Sequence, residues 1–152
     1  MATLIIGYGS LLRGDDSAGR HVADALTGSQ SNETITVLSV HQLTPELADP
    51  ISRSDMVIFI DAAAEGRPGE VNVFPLAQGT YQRGSHQTTP DGLLAMADEL
   101  FGQRPQGYMV TITGESFEIS DSLSPAVASA VPQAINRVLD LIHKKESLDL
   151  GN

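Results

Sequence analysis

The stretch LIIGYGSLLRGDDSAG, residues 4–19, joins an apolar run to a glycine-rich turn and then to a segment of helical period. A strand passing through a tight turn into a helix is the opening unit of parallel α/β proteins. The turn invites comparison with a phosphate-binding loop, and it fails that comparison. A dinucleotide fingerprint needs three glycines in G-x-G-x-x-G, the third to let the helix pack closely on the strand. Gly7 and Gly9 fit, but Leu12 takes the third place, and Ser39 and Val40 stand where the acid for a ribose hydroxyl belongs. No Gly-Lys-Ser/Thr follows, and Asp15 and Asp16 at the helix start would repel a phosphate held there. The Gly-x-Ser-x-Gly elbow of serine hydrolases is absent around Ser10 as well. Two aspartates in a first turn have a plain structural reading, a favourable interaction with the helix dipole of about 0.3–1 kcal/mol each. The other reading is that they face a cation.

Outward from this unit, runs rich in Ile and Val recur at Thr3 to Gly9, Ile35 to Val40, Met56 to Asp61, Val71 to Phe74 and Tyr108 to Thr113, each of strand length. Helical patterns lie between them: Asp16 to Leu26, ended by Gly28; Pro45 to about Arg53; Pro90 to Phe101, ended by Gly102; and Pro125 to His143. Thr44-Pro45, Thr89-Pro90 and Ser124-Pro125 share one start signal, a hydroxyl to cap free N–H groups followed by proline in the first turn. Pro50 and Pro132 fall inside helical patterns, which predicts a short second helix and a kinked or delayed fourth. The order β-α-β-α-β-β-α-β-α predicts an α/β fold, a three-layer α/β/α sandwich on a mainly parallel five-stranded sheet. Strand four follows strand three after a short loop at Glu65 to Glu70, so it is expected antiparallel or at an edge. One domain, residues 1–152, is expected, with a loose tail from Lys144 to Asn152.

Composition narrows the chemistry. The chain has 152 residues, 41% of them hydrophobic and 18% charged, enough for a core without staples. It has no cysteine, which excludes disulfides, thiolate metal sites and a cysteine nucleophile. Nineteen acidic residues against nine basic ones, a formal charge of -10, oppose binding to nucleic acid or an anionic membrane and suit a metal ion or a basic peptide. No apolar stretch is long enough to span a membrane, and the opening MATLIIGYG carries no basic leader, so a cytoplasmic protein is expected.

Binding sites of open α/β sheets form outside the carboxyl ends of the strands. Strand one leads to Asp15 and Asp16, strand two to His41 and Gln42, strand three to Asp61, and the loop QGTYQRGSHQTTP carries His86 to the third helix. Singly, Asp61 reads as a loop cap and His86 as a surface histidine. Together with Asp16 at one sheet edge they form a set of oxygen and nitrogen donors suited to zinc, nickel, manganese or iron, with positions left for water or substrate.

These residues resemble a known family, the endopeptidases that mature the large subunit of nickel-iron hydrogenases. The resemblance runs through LIIGYGSLLRGDDSAG, HQLTPELADPISRSDMVIFIDA, GSHQTTPDGLLAMADELFG and TITGESFEISDSLSPAV, in that order and over nearly the whole chain. It implies that Asp16, Asp61 and His86 are the metal ligands and catalytic residues, with both aspartates of the turn facing a metal rather than a phosphate. The metal implied is nickel, presented by the substrate, with a surrogate divalent ion able to take its place. The partner implied is the hydrogenase large-subunit precursor, whose C-terminal extension is removed once nickel has been inserted, and the protein is expected to be a monomer. The chain departs from the family pattern in Asp16 for glutamate, Ser10 for asparagine, Ser17 for glycine, and Ser39, Val40 and His41 for Asp-Gly-Gly. His41 stands as a substrate or metal contact or a solvated loop residue, and Asp15 as a general base or a helix cap. The alternative function is a noncatalytic nickel-checking chaperone of the same precursor; a flavodoxin-like nucleotide binder ranks behind both.

Overall fold

A computed structural model describes residues 2–30, 33–77 and 88–150. Five strands, β1 (Thr3–Tyr8), β2 (Ile35–Val40), β3 (Met56–Ala63), β4 (Val71–Pro75) and β5 (Gln106–Thr113), form one sheet in the order β2-β1-β3-β5-β4. The first four neighbours in this order pair in parallel, and β4 closes the edge antiparallel to β5. The helices are α1 (Ala18–Gln30), α2 (Ala48–Ser52), α3 (Pro90–Phe101) and α4 (Pro125–Leu150). Single 3₁₀ turns lead into the first two, Gly14–Ser17 and Pro45–Leu47. The three-layer α/β/α architecture expected from the element order is therefore present.

Strand alternation builds the layers, because successive side chains leave a sheet on opposite faces. Ile5, Met56, Ile58, Ile60, Val110 and Ile112 face α1 and α4, where Val22, Leu26, Val127, Ala134, Val138 and Ile142 meet them. Leu4, Ile6, Val57, Phe59 and Met109 face the other way, onto Leu47 and Ile51 near α2 and Leu93, Leu94 and Ala97 of α3. The third glycine that the opening motif lacks has a counterpart further on. A Cβ at Gly7 would collide with the carbonyl oxygen of Gly19, and one at Gly19 with that of Ile60. Gly7 and Gly19 thus let α1 lie directly on β1 and β3.

Several boundaries differ from the sequence expectation. Gly28 does not end α1, which continues to Gln30, because its backbone keeps a negative φ; Gly102, at φ 71°, does end α3, its N–H bonded to Asp98 O at 2.9 Å. Pro132 neither delays nor breaks α4. The carbonyl that its missing N–H leaves free belongs to Ala128, which, like Pro132, is exposed, so water can satisfy it. The tail expected to be loose from Lys144 is helical to Leu150, with Ile142 buried just before it. The three hydroxyl starts also part company. Thr89 accepts from Gly92 N at 3.1 Å as a cap, Thr44 makes no such bond, and the Ser124 hydroxyl donates to Asp15 instead. No helix among the described residues is long and apolar enough to cross a membrane.

Candidate metal and substrate site

From β1 the chain crosses to β2 on one side and then to β3 on the other, so strand order reverses between β1 and β3. A crevice at such a reversal is where open α/β sheets bind ligands. Here it is a cleft of about 730 Å³, whose lining includes Tyr8, Asp16, His41, Asp61, Thr88 and Thr89. Gly7 pairs with Ile60, so the next residues along the two strands, Tyr8 and Asp61, stand side by side at the cleft floor. Asp61 follows Phe59 by two residues and therefore projects on the α2/α3 face, where the cleft opens.

Asp16 reaches the same cleft from the 3₁₀ turn. Its Oδ2 accepts the N–H of Ser10 at 2.7 Å, which fixes the carboxylate across the turn. Gly9 makes this closure possible: its φ is 144°, and a Cβ there would collide with the carbonyl oxygen of Asp16. Asp61 Oδ1 accepts its neighbour's N–H, Ala62 N, at 2.7 Å, and the Tyr8 phenol lies beside it in the same cleft.

The electrostatics set Asp61 and Tyr8 apart from ordinary surface groups. Burial, with the nearby charge of Asp16, pushes the Asp61 carboxyl up to about 6, against the hydrogen bonds from Ala62 and Tyr8. The Tyr8 phenol is raised as well, first by burial, then by the charge of Asp61, their hydrogen bond and the charge of Asp16. Among the described residues the one salt bridge joins Arg53 to Asp49 on the surface, so no Lys or Arg there neutralises the two carboxylates. Two carboxylates lining one cleft without a cation are suited to a divalent ion, which would satisfy both charges at once. Two ligands are not a complete site, and among the described residues no three His, Asp or Glu side chains gather as a metal cluster.

The remaining sequence candidates divide. His86 lies outside the described residues; Thr88 and Thr89, just after it, line the cleft. His41 lines the cleft from its exposed rim. Asp15 does not face the cleft, which corrects the expectation that both aspartates face a metal and removes it as a general base. It is fully buried and accepts Glu115 N at 2.7 Å, Ser116 N at 3.0 Å, Ser124 N at 2.8 Å and the Ser124 hydroxyl at 2.8 Å. Burial alone would raise its pKa, but the N–H groups of Ser116, Ser124 and Glu115 and the Ser124 hydroxyl prevail and hold it below the ordinary range. Tyr8 is the site residue that sequence reasoning missed. The alternation of Leu4 and Ile6 places it on the same face, at the strand end where sites form.

No family model matches the chain, and neither does any curated protein. Solved structures do. The hydrogenase maturating endopeptidase HybD from E. coli superposes with a TM-score of 0.76 at 21% identity, covering 95% of this chain and 94% of that one. The fold is that of the hydrogenase maturation proteases. The maturation protease HybD from Thermococcus kodakarensis gives 0.73 at 22%, over 93% of this chain and 99% of that one. The hydrogenase 2 maturation peptidase from a Thaumarchaeota archaeon gives 0.73 at 25%, over 94% and 99%. These likenesses cover 93–95% of this chain, and Asp16 and Asp61 stand at the strand reversal of the shared fold.

Proposed function

We propose that the protein is a nickel-directed endopeptidase of hydrogenase maturation. In this reading it removes the C-terminal extension of the nickel-iron hydrogenase large-subunit precursor after nickel insertion, acting in the cytoplasm as a monomer. The single observation that carries the reading is that Asp16 and Asp61, without a cationic partner among the described residues, line one cleft of a fold shared with maturation proteases. The names of those structural neighbours support the reaction class.

Nickel belongs to the substrate here. Asp16, Asp61 and His86 are the residues proposed to grip it, each by an oxygen or a ring nitrogen. Gripping the ion would hold the scissile peptide at one fixed distance from it, and positioning of this kind contributes several kcal/mol, roughly 7–11 in the best intramolecular cases. The ion supplies Lewis acidity for peptide hydrolysis. The chain has no cysteine, so a thiol nucleophile is excluded. Asp15, engaged by four donors, serves the frame of the site and takes no proton from substrate.

Incubation of purified protein with nickel-loaded and nickel-free precursor tests the reading by mass spectrometry. Loss of the C-terminal extension from the nickel-loaded form alone is expected. Complex formation with unchanged mass would replace the endopeptidase by a nickel-checking chaperone.

A further inference from the structure

We propose that Leu11, Leu12 and Ile119 form a docking surface beside the cleft for an apolar segment of the precursor flanked by Lys or Arg; the inference rests on the precursor being the substrate. Two stretches distant in sequence build this surface. Arg13 pairs with Ser120 in a parallel bridge, Ser120 N–H donates to Leu12 O at 3.0 Å, and Gly14 N–H donates to Ser120 O at 2.9 Å. Leu12 and Ile119 each precede a bridged residue by one position, so they lie next to one another on the ribbon. They are exposed to 67% and 89%, and Leu11 to 45%. Isolated exposed leucines are ordinary, but Leu12 and Ile119 set side by side on a bonded ribbon, with exposed Leu11 next in sequence, mark an interaction surface.

The ribbon is anchored and adjoins the cleft. Its first strand leaves Ser10, whose N–H holds the Asp16 carboxylate, and its second strand is tied to buried Asp15 through Glu115, Ser116 and Ser124. Leu11 thus stands two residues beyond Gly9, which lines the cleft.

Charge selects the occupant. Glu115, Glu118 and Asp121 are exposed on the ribbon against the single cation Arg13, so a basic flank on the partner is complementary. A second copy of this chain fits poorly, because a two-fold interface would set these carboxylates against their own symmetry mates.

The test uses nickel-loaded large-subunit precursor as probe and two double variants, Leu12→Ser with Ile119→Ser, and Glu118→Lys with Asp121→Lys. Ile119→Ser alone, at the most exposed position, serves as control against misfolding. The apolar variant is expected to raise Kd and KM for the precursor about tenfold at unchanged kcat. The charge variant is expected to raise KM and to reduce its dependence on salt. Unchanged Kd and KM would overturn the inference, as would wild-type self-association that the apolar variant abolishes. A wild-type protein that binds the precursor without cutting it removes the endopeptidase reading, and Kd alone then decides on the surface.

Discussion

The Asp15 carboxylate holds both the backbone N–H and the hydroxyl of Ser124, each at 2.8 Å, across 109 positions of the chain. With Glu115 and Ser116 on the same carboxylate, it pegs the turn that carries Asp16 to the loop after β5. Adjacent aspartates thus divide the work: one frames the site, and the other faces into it.

Removing the peg should be costly. Asp15→Ala leaves four half-buried donors without that acceptor and is expected to destabilise the protein by about 2 kcal/mol, whereas Ser124→Ala is expected to cost about 1 kcal/mol. The pH dependence has a definite sign. Because the folded-state pKa of Asp15 is depressed, its contribution is fully present above the ordinary carboxylate value and is lost as pH falls through the lower folded value. Urea unfolding across acid pH checks this: wild type and Asp15→Ala should converge in stability at the acid end and diverge toward neutrality.

Asp61 carries the opposite sign. Its folded-state pKa is raised to about 6, so the stability linked to it is present below the ordinary carboxylate value and lost as pH rises through about 6. Near pH 7.5 the ionised group is therefore a penalty. A shift of about two units corresponds to at most about 3 kcal/mol, and partial exposure reduces that to about 1–2 kcal/mol. Asp61→Asn should stabilise the metal-free protein by that amount in urea titrations at pH 7.5 while weakening divalent-ion binding. Wild-type affinity for the ion should also fall as pH drops below about 6, since a proton then competes for the ligand.

The glycines that set the spacing of the site give a third test. Gly19→Ala places a Cβ against the carbonyl oxygen of Ile60, next to Asp61, and should destabilise by about 1–3 kcal/mol. Gly9→Ala meets both a backbone clash with Asp16 and an unfavourable φ, and should lose precursor processing even where the fold survives. Thermal unfolding alongside precursor mass measurements separates the two effects.

His86→Ala should abolish precursor processing and lower the affinity for divalent ions. Processing at the wild-type rate would reject a role for the imidazole, and the ligand set would then have to be completed by the rim residue His41 or by the substrate.

Much of the fold was legible because it rests on local signals. Apolar runs rich in Ile and Val marked all five strands to within two residues, and Thr89-Pro90 and Gly102 bracketed α3 as read. What was not legible depends on partners far along the chain. Ser124 carries a cap signal, but its hydroxyl is drawn to a carboxylate more than a hundred positions earlier. Asp15 and Asp16 are neighbours of one chemical type, and only their surroundings tell the buried peg from the cleft ligand. Pro132 reads as a helix breaker unless it is known that Ala128 faces solvent. Asp16 and Asp61 could be brought to one sheet edge from strand ends alone, since parallel topology dictates that edge. The placement of Tyr8 beside Asp61 needed the register of β1 against β3.

The most direct measurement is the anomalous difference map of a crystal soaked with nickel or cadmium at neutral pH. One dominant peak is expected in the cleft, about 2.0–2.2 Å from a carboxylate oxygen of both Asp16 and Asp61 for an ion that coordinates as zinc does, with the His86 ring nitrogen completing the set. A dominant peak bound elsewhere, with the two carboxylates turned apart, would contradict that expectation.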